Sequence, residues 1–206
     1  MALLSVGLER KGRPRLRRRI VHIALGTLFI LSLLTWDGLK WPLLALLVLG
    51  TCLSILQDKR PLRSISWFLD RYDKVGDQVP GQGPITFFSG ALVVWFIFGG
   101  SVALAALIVL TFGDPLANII GSVVGRCRIP WNREKTLEGS IAFYVSSGAV
   151  LALVLGPAPG FVLAAIGSLV ETGRARRSLL LDDNILIPVV VALSAWVLDL
   201  CLPSFI

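Results

Sequence analysis

Apolar residues along this chain run in long unbroken blocks, separated by short stretches that carry nearly all of the charge. Ile20 to about Trp36 is one such block, a turn containing Asp37, Gly38 and Lys40 follows, and Trp41 to Leu56 is a second block. Others run from about Ile85 to Phe98, from Ser101 towards Gly113, from Gly139 to Leu155, from Gly160 to Val170 and from Ile185 to Leu202. A membrane-spanning helix needs roughly 17–25 predominantly apolar residues to cross the hydrocarbon layer. The pattern predicts an all-α, polytopic membrane bundle of about seven transmembrane helices, with six to eight compatible with the block lengths.

Two interruptions refine this outline. Leu62, Ile65, Leu69 and Tyr72 recur at helical spacing among Arg63, Asp70, Arg71 and Lys74, which predicts an amphipathic interfacial helix near 61–74. Gly76, Pro80, Gly81, Gly83 and Pro84 then end it in a loop. In the fourth block, Gly113-Asp114-Pro115 predicts a break, with Asp114 capping a new helix whose first position is Pro115.

Composition agrees with a membrane setting: 55% of the 206 residues are hydrophobic, mean hydropathy is +0.78 and 16% are charged. Residues 1–19 read as a basic cytosolic segment and 20–206 as a single transmembrane domain. With a cytosolic N-terminus and seven spans, residues 57–83, 126–138 and 171–184 share the cytosolic face. Those loops and the N-terminal segment hold nineteen of the twenty Lys and Arg residues, Lys40 being the exception. That distribution satisfies the positive-inside rule, and it assigns the net charge of +7 to a membrane face and anionic headgroups rather than to nucleic acid. The arginine-rich start runs into an apolar block without a small-residue cleavage site, an expectation that points to a prokaryotic plasma membrane. Cys52, Cys127 and Cys201 are dispersed and odd in number, and define neither a disulfide framework nor a CxxC metal site.

The candidate chemistry sits at the cytosolic ends of the blocks. A carboxylate such as Asp114 beside apolar sequence is costly and commonly functional, although a helix cap accounts for it as well. Ala117, Gly121 and Gly125 fall four apart on one helical face, where they admit either a neighbouring helix or a phosphate. Arg126, Arg128, Arg133 and Lys135 are phosphate-binding types; for Arg128 and Arg133 contact with lipid headgroups is the preferred reading. Glu138-Gly139-Ser140 opens a helix whose free amides face an anion, with Glu138 expected to organise Lys135 or to help hold Mg²⁺. Glu171 and Asp182-Asp183-Asn184 supply hard oxygen donors suited to Mg²⁺, while one of the last three also caps the seventh span. His22, the sole histidine, reads more readily as structural than catalytic. No Walker A loop, protein-kinase motif set or GxSxG elbow is present.

Taken in order, Arg19-x-x-His22 with Gly26, Gly113-Asp114-x-x-Ala117 through Gly125-Arg126, Lys135-Thr136-x-Glu138-Gly139-Ser140, and Glu171 followed by Asp182-Asp183-Asn184 and Pro188 resemble the CTP-dependent lipid-alcohol kinases. That group comprises dolichol kinase, phytol kinase and yeast-type diacylglycerol kinase; phosphatidate cytidylyltransferases are a related-looking class. The resemblance implies transfer of the γ-phosphoryl group of CTP to the hydroxyl of a membrane lipid. On this reading Asp114, Asp182 and Asp183, with Glu171 and Asn184, hold Mg²⁺. Arg126, Lys135, Thr136, Gly139, Ser140 and Asn118 bind the nucleotide. Asp183 or Glu138 accepts the alcohol proton, with His22 a more distant candidate. A cytidylyltransferase that makes a CDP-lipid is the nearest alternative. A lipid or solute transporter with a broken fourth helix is the alternative from another class.

Overall fold

The computed structural model describes residues 2–59, 66, 77–173 and 182–201, with side chains described from Leu16 onward. It is an all-α bundle carrying one small hairpin of strands. Helix α1 is Ala2–Thr35, a 3₁₀ turn Asp37–Leu39 leads into α2 (Lys40–Lys59), and α3 is Gln82–Ile97. Helix α4 (Gly100–Ile108) continues through a π-turn, Val109–Gly113, into α5 (Asp114–Val123). Strands β1 (Arg128–Ile129) and β2 (Asn132–Thr136) pair antiparallel, and α6 (Leu137–Leu155), α7 (Pro157–Thr172) and α8 (Asp183–Cys201) complete the chain. The amphipathic helix expected near 61–74 lies outside the described residues, apart from Ser66.

Helical segments occupy all seven places that the apolar blocks mark. Five of them, Leu16–Thr35, Asp37–Lys59, Gly100–Val123, Leu137–Leu155 and Asp183–Cys201, are long and apolar enough to cross a membrane, and Gln82–Ile97 and Pro157–Thr172 are shorter apolar helices. Position in the bundle follows burial. The α4–α5 segment has 67% of its apolar window buried and is the central element, whereas α2 has 6% and lies at the periphery. Around the centre, Phe87 and Trp95 of α3, Leu107 of α4, Phe143 and Leu151 of α6, Leu163 of α7, and Ile187 and Val191 of α8 form one continuous core. The outward faces remain apolar: Leu153 of α6, Leu169 of α7 and Leu200 of α8 are exposed.

The break predicted at Gly113-Asp114-Pro115 is not a break. The chain stays helical, and Asp114 takes right-handed α backbone angles with no side-chain cap preceding α5. A π-turn accommodates the proline. Pro115 brings no amide hydrogen, so in the i→i+5 register of that turn the carbonyl of Leu110 lacks its main-chain partner. The Nε2 of His22, on α1, lies 3.0 Å from that carbonyl oxygen and satisfies it.

A second proline generates a second junction. Pro188 lies inside α8 and cannot donate to the carbonyl of Asn184 four residues earlier. That carbonyl instead faces α3 at Gly90, where an added Cβ would lie 2.0 Å from the Asn184 oxygen. Only a glycine Cα permits this approach, and its hydrogen faces the orphaned oxygen as a weak donor. The amide of Asn184 also donates to Thr86 Oγ1 (3.0 Å), so α3 and α8 are fixed at both the backbone and the side-chain level.

Gly90→Ala should therefore destabilise the protein by about 1–3 kcal/mol, the usual cost of overpacking. Gly50→Ala, on α2 with open space around it, should leave stability unchanged or raise it slightly. Thermal unfolding of the two variants in the same detergent makes the comparison.

Candidate functional site

Seven elements bring polar side chains to one end of the bundle. The local structure of the β-hairpin and α6 begins with Thr136, which is the N-cap of α6: its hydroxyl accepts from the amide of Gly139 at 3.2 Å. This is the ordinary helix-capping geometry of a threonine three residues ahead of a free amide. The close fit of Thr136 against α5 requires small residues there. An added Cβ would sit 2.8 Å from Thr136 Oγ1 at Gly121 and 2.9 Å from the Ala117 carbonyl at Gly139. The glycine-and-alanine face read from the sequence thus serves helix packing, holding the hairpin and α6 against α5.

Lys135, at the end of β2, is the centre of the site. Its Nζ lies 2.5 Å from Glu171 Oε1 on α7 and 3.4 Å from Asp183 Oδ2 on α8. Glu171 is 2% exposed, and its other oxygen accepts from Ser140 Oγ at 3.3 Å. Burial alone would lower the lysine pKa, but the fields of Asp183, Asp114 and Glu171 outweigh it and hold Lys135 above the ordinary lysine range. It is fully charged at neutral pH.

Asp114, buried at the start of α5, accepts from Arg19 Nη1 at 2.8 Å across 95 positions of sequence. It also accepts from Asn118 Nδ2 at 2.8 Å, one turn along its own helix. Asp114, Glu171 and Asp183 share this end of the bundle with the cations of Lys135 and Arg19, and Arg18 lies within the field of Asp114 and Asp182.

The remaining candidates sit as follows. Asp182 is the cap of α8, its Oδ1 accepting from the Asn184 amide at 3.0 Å, as expected for one member of that acidic run. Its other oxygen faces Gln82 of α3 at 3.4 Å, and Asn184 is turned to Thr86. Glu138 does not organise Lys135. Its Oε1 accepts from the backbone amides of Arg126 (2.9 Å) and Cys127 (3.1 Å), so it fastens the turn that precedes β1. Arg126 joins that turn through its backbone and keeps its side chain exposed. Gly139 and Ser140 are engaged within the scaffold, the first on Thr136 and the second on Glu171. His22 packs edge-on against Phe87, with ring centroids 4.6 Å apart, and bonds the Leu110 carbonyl; only a protonated Nε2 can make that bond.

A closed cage of protein ligands for Mg²⁺ is not formed: among the described residues no three of His, Cys, Asp and Glu converge as a ready metal centre. The donor chemistry still fits the ion in its usual role, in which one or two carboxylates and several waters complete their shell with substrate phosphates. Asp114 and Asp183 are carboxylates of that type, the first bonded to Arg19 and Asn118 and the second 3.4 Å from Lys135.

Two features of the site have little local signal in the sequence. Arg19 stands out only by its place in the motif, one turn ahead of His22 on α1. The segment 126–138 reads as a loop, although its hairpin carries Lys135 and anchors to α7. Asn132 Nδ2 donates to the Gly173 carbonyl at 2.7 Å and Trp131 Nε1 to the Thr172 carbonyl at 3.2 Å.

A lysine held among carboxylates at one end of a helical bundle makes a polar centre in an apolar scaffold. Several known proteins are similar to this chain. An uncharacterised protein of Methanocaldococcus jannaschii is 29% identical over 177 residues, covering 85% of this chain and 89% of its own. A probable chloroplastic phytol kinase of Glycine max is 32% identical over 139 residues, 62% of this chain and 42% of that protein. The chloroplastic farnesol kinase of Arabidopsis thaliana is 26% identical over 209 residues, 89% of this chain and 66% of that protein. The chain is thus a relative of proteins named phytol and farnesol kinases, as its motifs imply. It spans less than half of the soybean protein's length and about two thirds of the Arabidopsis one. No family profile matches the chain, and no solved structure matches it.

Lys135→Ala should leave the Glu171 carboxylate buried and unpaired, and cost about 3–5 kcal/mol. Adding Glu171→Gln to Lys135→Ala should recover part of that loss, because the amide carries no charge to strand. Equilibrium unfolding of both single variants and the double variant reads the coupling, and purely additive effects would contradict the pairing.

Proposed function

We propose that this protein is an integral membrane kinase that transfers the γ-phosphoryl group of CTP to the hydroxyl of an isoprenoid-type lipid alcohol. The observation that carries the reading is the Lys135–Glu171–Asp183 centre beside Asp114 at one end of an apolar bundle, in a chain whose named relatives are phytol and farnesol kinases. In this reading the N-terminus and the polar end face the cytosol, in a prokaryotic plasma membrane. The substrate alcohol arrives laterally at headgroup depth.

Phosphoryl transfer is governed by positioning and charge stabilisation. The lipid oxygen attacks the γ-phosphorus, the bond from that phosphorus to the β–γ bridging oxygen breaks, and CDP leaves with the bridging oxygen. Lys135 lies where it can exchange one carboxylate contact for a phosphoryl oxygen and follow the charge that develops on it. Asp183, less buried than Glu171 and only 3.4 Å from Lys135, is the acceptor for the alcohol proton. Arg19 holds Asp114 charged and oriented, and Asn118 restrains the same carboxylate from the other side. Mg²⁺ bound with the nucleotide would neutralise the β- and γ-phosphate charge, with Asp114 as its protein donor. The backbone bonds that engage Glu138, and the carbonyl bond that engages His22, make both weaker candidates for the base than Asp183.

Purified protein in mixed micelles with CTP or ATP, Mg²⁺ and a panel of farnesol, phytol, polyprenol and diacylglycerol tests the proposal. The expected products are CDP and a phosphorylated alcohol. Release of pyrophosphate with a CDP-lipid would replace the kinase by a cytidylyltransferase, and folded protein that consumes neither nucleotide would favour transport. Asp183→Asn should lower kcat by about 10²–10⁴-fold, the range for a lost general base. Asp114→Asn should raise the Mg²⁺ concentration needed for half-maximal rate; unchanged metal dependence would remove Asp114 from the metal site.

A further inference from the structure

The exposed tryptophans sort by depth along the bundle. Trp36 at the end of α1, Trp41 at the start of α2 and Trp196 in the last half of α8 are exposed at the end opposite the carboxylates. Among the described residues one tryptophan lies at the carboxylate end. It is Trp131, at the turn of the β-hairpin, 59% exposed.

Its depth is fixed by the structure rather than left to a loose loop. The indole Nε1 donates to the Thr172 carbonyl in the last turn of α7 at 3.2 Å, and Asn132 beside it bonds the Gly173 carbonyl at 2.7 Å. Those are carbonyls that the end of a helix leaves without main-chain partners. The ring is thereby held level with the terminus of an apolar helix. One turn below Thr172, its neighbour Leu169 is 70% exposed, an outward-facing apolar position on the same helix. Arg128 and Arg133 on the two strands and Arg126 on the segment entering them are all exposed, and Arg128 Nη1 donates to the Arg133 carbonyl at 3.4 Å. An amphipathic indole bonded to a helix end that carries an outward-facing leucine, on a hairpin with exposed arginines, matches the requirements of the headgroup layer. There, tryptophan marks the interface and basic residues attract anionic lipid.

We infer that the β-hairpin is a membrane-interface anchor, seated in the headgroup layer with the Trp131 ring at the hydrocarbon boundary and its arginines on anionic lipid headgroups. This rests on the membrane reading given above but not on the kinase reaction. The consequence for the site is direct. Lys135 is four residues beyond Trp131 on the same hairpin, so the anchor holds the Lys135–Glu171 centre at the depth of a lipid hydroxyl.

The test uses the full chain in phosphatidylcholine–phosphatidylglycerol nanodiscs that contain lipids brominated at a shallow or a deep acyl position. The fluorescence difference between wild type and Trp131→Phe isolates one indole. It should be quenched several-fold more by shallow than by deep bromines, and little by aqueous iodide. Strong iodide quenching of that difference signal with no effect of brominated lipid would overturn the anchor, while lipid quenching of the other indoles showed the bundle to be in the bilayer. No lipid quenching of any indole would overturn the anchor and the membrane reading together. In a second measurement, Arg128→Gln and Arg133→Gln should each reduce retention of phosphatidylglycerol over phosphatidylcholine about fivefold, the selectivity expected per basic residue near a charged surface. Unchanged retention would remove the anionic partner.

Discussion

Everything at the polar end of this bundle depends on one ammonium group. A carboxylate as buried as Glu171 is strongly disfavoured in an apolar scaffold unless a charge answers it at contact distance. Lys135 does so at 2.5 Å, and the same cation reaches Asp183 on a different helix. Because α7 and α8 approach through one side chain carried by a strand, the hairpin acts as a structural part of the bundle. Its cap at Thr136, its glycine-lined contact with α5 and its two bonds to the end of α7 all serve to deliver that ammonium group to one point.

Two prolines show how polar junctions are made inside apolar helices. Pro115 and Pro188 each deprive a carbonyl of its main-chain donor, and in each case a neighbouring helix supplies the answer. For Leu110 it is an imidazole from α1; for Asn184 it is the uncovered Cα of Gly90 on α3. The two junctions flank the carboxylate centre and tie α1 and α3 to the elements that bear Asp114 and Asp183. Residues that read individually as helix breakers are joints between helices.

Hydrophobic blocks made the helices legible, because a long apolar run has few alternatives to a buried or lipid-facing helix. That one of Asp182, Asp183 and Asn184 caps the last helix, and that the polar clusters share one end, were legible for the same kind of reason: polar residues at the ends of apolar blocks have little choice of place. The partner of Lys135 was not, since the sequence points to Glu138 and the bundle supplies Glu171 and Asp183. Other features had no local signature. Strands of two and five residues show no periodicity, so the hairpin read as loop. Glu138 lies three residues from Lys135 in sequence, yet the capped start of α6 turns it towards the amides of Arg126 and Cys127. The bond of Arg19 to Asp114 joins positions that only the packing of α1 on α5 brings together.

The π-turn at Val109–Gly113 has a consequence for the angular phase of the helix that follows it. A π-turn amounts to one residue added to an α-helix, and each residue turns a helix by about 100°. Everything after it, Asp114 first, is therefore displaced around the axis from where an uninterrupted α4 would have aimed it. The direction in which the carboxylate points is thus set by the number of residues upstream as much as by its own identity. Shortening that segment by one residue would preserve every side chain of the site and still turn Asp114 away from Arg19.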